Sequence, residues 1–139
     1  MSVNAQKFKR FIQRYKARLK RAIPKALNSS GQKTVDIILD RTNRGVGLRG
    51  AFKRYSKDYI KKRQSEGLRS KPNLSFSGAM LNSLDVKKAG TNKVLVHFKK
   101  REEAKKARFN QKTRPFMGVR PQEKKFIVDA FARRFRKDL

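Results

Sequence analysis

Residues 71–86 read KPNLSFSGAMLNSLDV, with one Lys at the start and one Asp near the end, in a chain that is otherwise crowded with cations. Small polar residues alternate with apolar ones, and Ser77 stands where it can cap a short helical turn. Gly78 permits a backbone dihedral angle that other residues avoid, while Met80 and Leu81 can fill the space beneath the turn. The stretch therefore predicts a structural corner that leads into a strand, not a ligand site.

The segments around this corner predict both helices and strands. Upstream, Ser56 and Gly67 bound a short helix. Downstream, the alternation from Leu84 predicts two antiparallel strands around the turn AGTN at residues 89–92. A charged helix follows over residues 99–111, and the residues expected on its inner face are Ala104, Ala107 and Phe109.

The C-terminal part of the chain predicts an extended segment and then a helix. TRPFMGV, residues 113–119, reads as a strand in which Pro115 restricts pairing to a sheet edge. Residues 121–139 predict a helix with Pro121 in its first turn. Its apolar residues, expected to be buried, are Phe126, Ile127, Ala130, Phe131 and Phe135.

The N-terminal region predicts a long amphipathic helix with a strongly basic face. Asn4 is suited to cap it, nine Lys or Arg lie between Lys7 and Lys25, and no acid precedes Asp36. Pro24 and the Ser29–Gly31 stretch mark places where the helix could kink or end, so the following apolar residues fit either a second helix or a continuation. The residues at helical three- and four-residue spacing are Phe8, Ile12, Tyr15, Leu19, Ala22 and Ile23.

Together these elements predict an α+β fold, in which a small antiparallel sheet is flanked by helices, including a long basic N-terminal helix and a C-terminal helix. The 139 residues suit a single domain, 1–139. It divides into a basic helical region (1–40), a Gly-rich mobile loop (41–50) and an α+β core with the C-terminal helix (51–139). Phe8, Phe126, Phe131 and Phe135 are expected in the core.

The charge balance indicates a polyanionic or acidic neighbour. Lys plus Arg number 39 against 10 Asp plus Glu, so the formal charge is +29. The chain has no Cys and one His, His97, which excludes disulfides and a Cys/His zinc site. No apolar run approaches the roughly 20 residues of a membrane span, and the basic N-terminus lacks the apolar core of a secretion signal. We expect the chain to be used in the cytoplasm or in a particle assembled there.

Three patterns that resemble chemical sites do not meet the requirements of those sites. GVGLRG, residues 45–50, lacks the Lys-Ser or Lys-Thr of a phosphate-binding loop and the preceding strand of a dinucleotide fingerprint. Asp85 with Glu103 and Lys105 imitates the acids of a metal-dependent nuclease, but Glu103 and Lys105 fall in a predicted helix. His97 has no Ser, Cys or second His partner. The sequence therefore predicts no catalytic residue, no cofactor and no metal, with a nuclease as the weakest alternative.

The order of motifs resembles the virion-morphogenesis and tail-completion proteins of tailed bacteriophages, the small neck proteins that join head to tail. The match covers roughly residues 50–120 and has three parts: an aromatic-Tyr-Ser segment, a Ser-Gly turn leading into a strand, and an Arg-Pro-Phe-Met-Gly element. These parts correspond to Phe52, Tyr55 and Ser56; to Leu74, Ser77, Gly78, Met80, Leu81 and Ser83; and to Arg114, Pro115, Phe116, Met117 and Gly118.

The resemblance implies a non-enzymatic head-tail connector or tail-completion subunit, located in the virion at the head-tail junction after assembly in the host cytoplasm. It also implies a homo-oligomeric ring of six or twelve copies, with six favoured, that contacts portal or adaptor and tail proteins and no membrane. The alternative from the residues alone is a cytoplasmic protein that binds DNA or RNA without sequence preference. The cations expected to face packaged DNA or an acidic partner are Lys7, Lys9, Arg10, Arg14, Lys16, Arg18, Lys20, Arg21, Arg44 and Arg49.

Overall fold

The structure, a computed structural model, describes residues 4–139 and confirms the α+β class. In chain order the elements are α1 (Ala5–Asn43), β1 (Val46–Gly47), β2 (Gly50–Ala51), α2 (Lys57–Ser65), α3 (Ala79–Asn82), β3 (Leu84–Lys88), β4 (Val94–Phe98), α4 (Arg101–Thr113) and α5 (Lys124–Asp138), with a 3-10 turn at Pro121–Glu123 before α5. Two separate two-stranded antiparallel sheets replace the single sheet expected. No helix of the described part is long and apolar enough to cross a membrane.

The first helix runs for 39 residues without interruption. The Asn4 side chain accepts hydrogen bonds from the N–H groups of Gln6 and Lys7, at 3.0 and 3.3 Å, as the sequence predicted. The possible breaks are absent, because the helix continues through Pro24 and through Gly31. A Cβ on Gly31 would lie 2.6 Å from a methyl group of Val86, so this glycine brings strand β3 close to the helix instead of ending the helix.

The core lies between α1, the β3–β4 hairpin, the corner and α4. Its buried members are Val35, Ile38, Phe52, Leu74, Met80, Leu81, Leu84, Ala107 and Phe116. The predicted hairpin is confirmed, with Val86 opposite Val96 in the register. The corner is also confirmed: Gly78 has φ +81°, and Met80 and Leu81 are buried beneath it.

The structure of two connecting segments differs from what the sequence led us to expect. The Gly-rich residues 45–50 form a tight hairpin, in which the N–H of Leu48 donates to the Pro115 carbonyl at 2.8 Å. Close packing explains its order, since a Cβ on Gly47 would overlap both Pro115 and Phe52. Thr113 ends helix α4, and residues 114–119 are irregular and form no strand, because the N–H groups of Phe116 and Met117 donate to the Gln111 side chain instead of to a sheet partner. Phe116 nevertheless enters the core as predicted, and Met117 packs against it.

Helix α5 packs along α1 in the antiparallel direction. Glu123, just before α5, pairs with Arg41, and Asp138 at the other end approaches Lys25 at 4.0 Å. The packing is one-sided, and α5 has no fully buried residue. Phe131 and Phe135 are half-buried and stacked with centroids 5.7 Å apart, while Phe126 is 54% exposed, which corrects its expected burial.

Candidate nucleic-acid or acidic-partner interface

The first part of α1 projects beyond the rest of the molecule. We call residues 5–21 the arm and residues 22–139 the body. Fifteen of the seventeen arm residues are exposed, and only Ile12 and Leu19 are half-buried, whereas Ala22 and Ala26 in the next turns are completely buried. At 1.5 Å per residue the arm is about 25 Å long.

The arm carries most of the predicted contact residues in one place. It contains eight cations and no acid, so none of its charges is neutralised within the arm. Each of the eight is exposed, as a residue that meets an anionic surface must be. They are Lys7, Lys9, Arg10, Arg14, Lys16, Arg18, Lys20 and Arg21.

The other two predicted contact residues lie away from the arm. Arg44 follows the C-terminal end of α1, and Arg49 lies in the turn between β1 and β2. The helical rise puts Arg44 roughly 35 Å from Arg21 along the axis. Arg44 also pairs with Asp40 at 2.8 Å, on the surface. The structure therefore does not join these two residues to the arm in one interface.

The arm also presents apolar side chains to solvent. Phe8 is 58% and Phe11 61% exposed, so the expectation that Phe8 is core was wrong. The reason is that no other element of the described chain runs beside the arm, since α5 ends near Lys25. Phe109, expected to face inward from α4, is 75% exposed, while Ala107 of the same helix is buried as predicted. A single exposed apolar residue is ordinary, whereas a contiguous exposed apolar patch marks a contact surface.

Three arginines of the body serve the fold instead of a ligand. Arg41 is 1% exposed, and it donates to Glu123 Oε2 at 2.5 Å and to the carbonyls of Phe116 and Gly118 at 2.6 and 3.1 Å. These bonds fix residues 116–118 against α1. Because the guanidinium has partners for its charge and for both terminal nitrogens, it is not free to bind an outside anion.

Arg63 and Arg114 hold two further loops. Buried Arg63 donates to the carbonyls of Arg69 and Ser75 at 2.8 and 2.7 Å and lies 5.1 Å from the ring centre of Tyr55. Arg114 donates to the carbonyls of Lys53 and Arg54, at 2.7 and 2.9 Å, and its guanidinium carbon lies 4.6 Å from the centre of the same Tyr55 ring. Tyr55 is thus in contact with two guanidinium groups. We call Arg41, Arg63 and Arg114 the clamp arginines.

Glu123 is the acid that pairs with the buried Arg41. Burial opposes its ionisation, but the Arg120 N–H and the guanidinium groups of Arg41 and Arg120 outweigh that effect and hold the pKa of Glu123 below its ordinary value. The bond from the Arg120 N–H to Oε2 is 2.8 Å long. Glu123 is therefore ionised at neutral pH and balances the buried charge of Arg41.

The residues of the phage-like motifs have structural contacts. The Tyr55 hydroxyl accepts from the Leu74 N–H at 3.0 Å, and the Ser77 hydroxyl accepts from the Ala79 N–H at 3.3 Å. Pro115 receives the bond from Leu48, and Leu48 lies against Gly118, where a Cβ would meet it at 3.0 Å. These contacts join the corner, the Gly-rich hairpin and the 114–118 segment into one body.

The residues of the imitated nuclease pattern do not assemble into a metal site. Asp85 lies in β3 and approaches Lys99, while Glu103 lies in α4 and pairs with Lys106 at 3.0 Å. Within residues 4–139, no group of three or more His, Asp or Glu could hold a metal ion. Glu103 Oε2 is buried without a hydrogen-bond partner beside an open groove of about 500 Å³ between α2, the corner and α4.

Sequence reasoning missed the clamp role of Arg41 and the exposure of Phe11. The signal for Arg41 was its spacing of three residues from Ile38, which follows Val35 by three on the buried face. Phe11 lies beside the apolar stripe of the arm and was not assigned to it. Arg63 carries no comparable signal, because its neighbours in α2 are mostly exposed.

Comparisons of the chain with protein-family models, with curated proteins and with solved structures find no match. The resemblance to phage neck proteins therefore stays a prediction, based on the order of the motifs.

Proposed function

We propose that the protein is a non-enzymatic structural subunit of a bacteriophage neck, a head-tail connector or tail-completion protein that assembles into a ring between portal and tail. The observation that carries this proposal is the division of the molecule into a body and a projecting arm. The clamp arginines fix the loops of the body, while the cations and aromatic rings of the arm are left for contacts outside the chain.

Exposed apolar groups on the body support assembly with neighbouring subunits. Phe126 and Val128 on α5 are 54% and 62% exposed, and Phe109 on α4 also faces solvent. A closed ring buries such patches between identical subunits in a head-to-tail arrangement. The charge of +29 opposes this association, because several such subunits side by side repel strongly at low salt. We therefore expect a monomer in isolation and ring closure on a portal or tail template whose acidic surfaces offset the repulsion.

Native mass measurement and particle imaging test this function. We expect the isolated chain to remain monomeric at low salt and six copies, or twelve, to occupy the head-tail junction of assembled particles. The proposal would be overturned by a single asymmetric copy per particle, or by particles with no copy at that junction. Either result promotes the alternative, a cytoplasmic protein that binds DNA or RNA without sequence preference.

The eight arm cations are the observation that favours this alternative, and salt titration isolates their contribution. Binding to duplex DNA should weaken steeply with salt, because each neutralised phosphate releases a counterion. Replacing Lys7, Lys9, Arg10, Arg14, Lys16 and Arg18 by Gln should flatten the slope of log affinity against log salt. An unchanged slope would move the DNA-facing surface from the arm to the body.

A further inference from the structure

The apolar residues of the arm follow the heptad spacing of a coiled coil. Phe8, Ile12, Tyr15 and Leu19 are separated by four, three and four residues, and the same alternation continues through Ala22 and Ala26. In heptad notation, Ile12, Leu19 and Ala26 occupy a positions, and Phe8, Tyr15 and Ala22 occupy d positions. One apolar seam therefore runs from the arm into the body.

The two ends of this seam have different surroundings. In the body, where α5 packs along α1, Ala22 and Ala26 are 0% exposed. In the arm, Phe8 and Tyr15 are 58% and 44% exposed, because α5 ends near Lys25. The seam thus continues an interface that is already helix against helix, and its first two heptads have no helix on them.

Cations flank the open part of the seam at the positions that select a coiled-coil partner. Lys9 and Lys16 fall at e, and Arg18 falls at g. In coiled coils the e and g residues of one helix face those of the other, so cations here favour Glu or Asp in the partner. A second copy of the arm would place cation opposite cation, which disfavours pairing between identical arms.

We propose that the arm docks against an acidic amphipathic helix of a partner protein, with an apolar heptad seam and carboxylates beside it, so that the partner extends the line of α5. Duplex DNA satisfies the cations but leaves Phe8, Phe11 and Tyr15 in water, and this is why the apolar seam favours a protein partner. The inference goes beyond the neck function and does not depend on it, because it concerns the chemistry of the arm in any assembly.

The arm offers a matched pair of charge variants for the test. Replacing Lys9, Lys16 and Arg18 by Gln removes three charges beside the seam. Replacing Arg10, Arg14 and Arg21 by Gln removes three charges from the c and f positions, which point away from a partner helix. Both variants lose the same total charge, so a difference in their binding affinities shows that the position of the charges on the helix matters. A third variant, the seam variant, combines Phe8→Ala, Tyr15→Ala and Leu19→Ala, which truncates three of the four large apolar side chains of the open seam while retaining high helix propensity.

The binding probe is a synthetic peptide of about three heptads with Leu at a and d and Glu at e and g, titrated into the full-length protein in about 0.15 M salt. Its controls are a scrambled peptide of the same composition, a peptide with Lys at e and g, and duplex DNA. Circular dichroism of each protein variant confirms that α1 remains helical.

We expect the Glu-flanked peptide to bind, and the seam variant and the flanking-charge variant each to weaken binding at least about tenfold, whereas the outward-charge variant stays within about threefold. Binding to DNA should fall equally for the two charge variants. The proposal is overturned if both charge variants weaken peptide binding equally, if the scrambled peptide binds as well, or if the Glu-flanked peptide does not bind.

Discussion

The arm and the body use arginine in opposite ways. In the body, Arg41 is 1% exposed and its two terminal nitrogens are bonded to a carboxylate and two carbonyls, so its charge is part of the fold. In the arm, Arg14 is exposed, and the first acidic residue of the sequence, Asp36, comes 22 residues later. A net charge therefore does not measure a binding surface, because part of the positive charge of this molecule is committed to its own loops.

Among the tests of this comparison, replacing a clamp arginine should have the largest effect on the free energy of unfolding. Arg41→Met leaves Glu123 buried with one guanidinium partner fewer and leaves two carbonyls without donors. We expect a loss of about 3–5 kcal/mol in the free energy of unfolding, measured by chemical denaturation. Arg14→Met, the matched change in the arm, should stay within about 0.5 kcal/mol.

A double substitution separates the buried charge from the lost packing. Arg41→Met combined with Glu123→Leu should recover part of the stability, because the buried carboxylate that lost its Arg41 partner is removed as well. A loss below about 1 kcal/mol for Arg41→Met alone would mean that the clamp is dispensable. The distinction between arm and body arginines would then have no energetic basis.

Gly78 tests whether the corner of the body is as rigid as the clamps imply. Its φ of +81° is in the left-handed region, so Gly78→Val should cost about 1–3 kcal/mol. Gly78→Asn should be milder, because Asn tolerates this conformation. Thermal unfolding of the two variants measures the difference. Equal midpoints for wild type and Gly78→Val would show that the corner is loose.

Gly31 tests the body half of α1, where a helix-stabilising change should be harmful. Ala is favoured over Gly in helices by about 1 kcal/mol, but its Cβ would lie 2.6 Å from a methyl group of Val86. Since overpacking costs about 1–3 kcal/mol, we expect Gly31→Ala to destabilise the protein by about 1 kcal/mol. Adding Val86→Ala should then cost less than it does in the wild type, measured by denaturation of all four proteins. Strict additivity would contradict close packing at this position.

The pH dependence of stability gives the smallest and most specific test of the clamp. The folded pKa of Glu123 lies below its ordinary value of 4.5, so its stabilising contribution is present above that value and is lost as the pH falls through the folded pKa. The stability difference between wild type and Glu123→Gln should therefore be largest at neutral pH and should shrink in acid. Glu102→Gln, an exposed control in α4, should show a small difference at every pH. If the stability difference between wild type and Glu123→Gln is the same at every pH, the contribution of Glu123 does not depend on its charge.

The sequence predicted those features that depend on local patterns. The helix cap at Asn4, the hairpin from Leu84, the corner at Gly78 and the cationic row of α1 all follow from residues close together in the chain. The features it missed depend on distant contacts. Gly31 was interpreted as a possible helix end, because the residue that requires a glycine there, Val86, lies 55 residues further along the chain.

The same limit applies to the candidate interface. Charge spacing predicted the arm correctly as a basic helical face, but it could not show that the helix extends past its packing partner, so Phe8 was placed in the core. It also grouped Arg44 and Arg49 with the arm, although they lie beyond the opposite end of α1. A count of charges groups all these cations together, and only the three-dimensional arrangement shows which of them lie far apart.

The pairing of Arg41 with Glu123, 82 residues later, has a consequence for synthesis. At about 5–20 residues per second, α1 waits roughly 4 to 16 s between the emergence of Arg41 and that of its partner acid. During that interval a cationic amphipathic helix faces the ribosome and its RNA with neither its seam covered nor its buried arginine neutralised. Completion of the fold is therefore a late event in translation, and the time available for capture by the wrong polyanion is set by the speed of elongation.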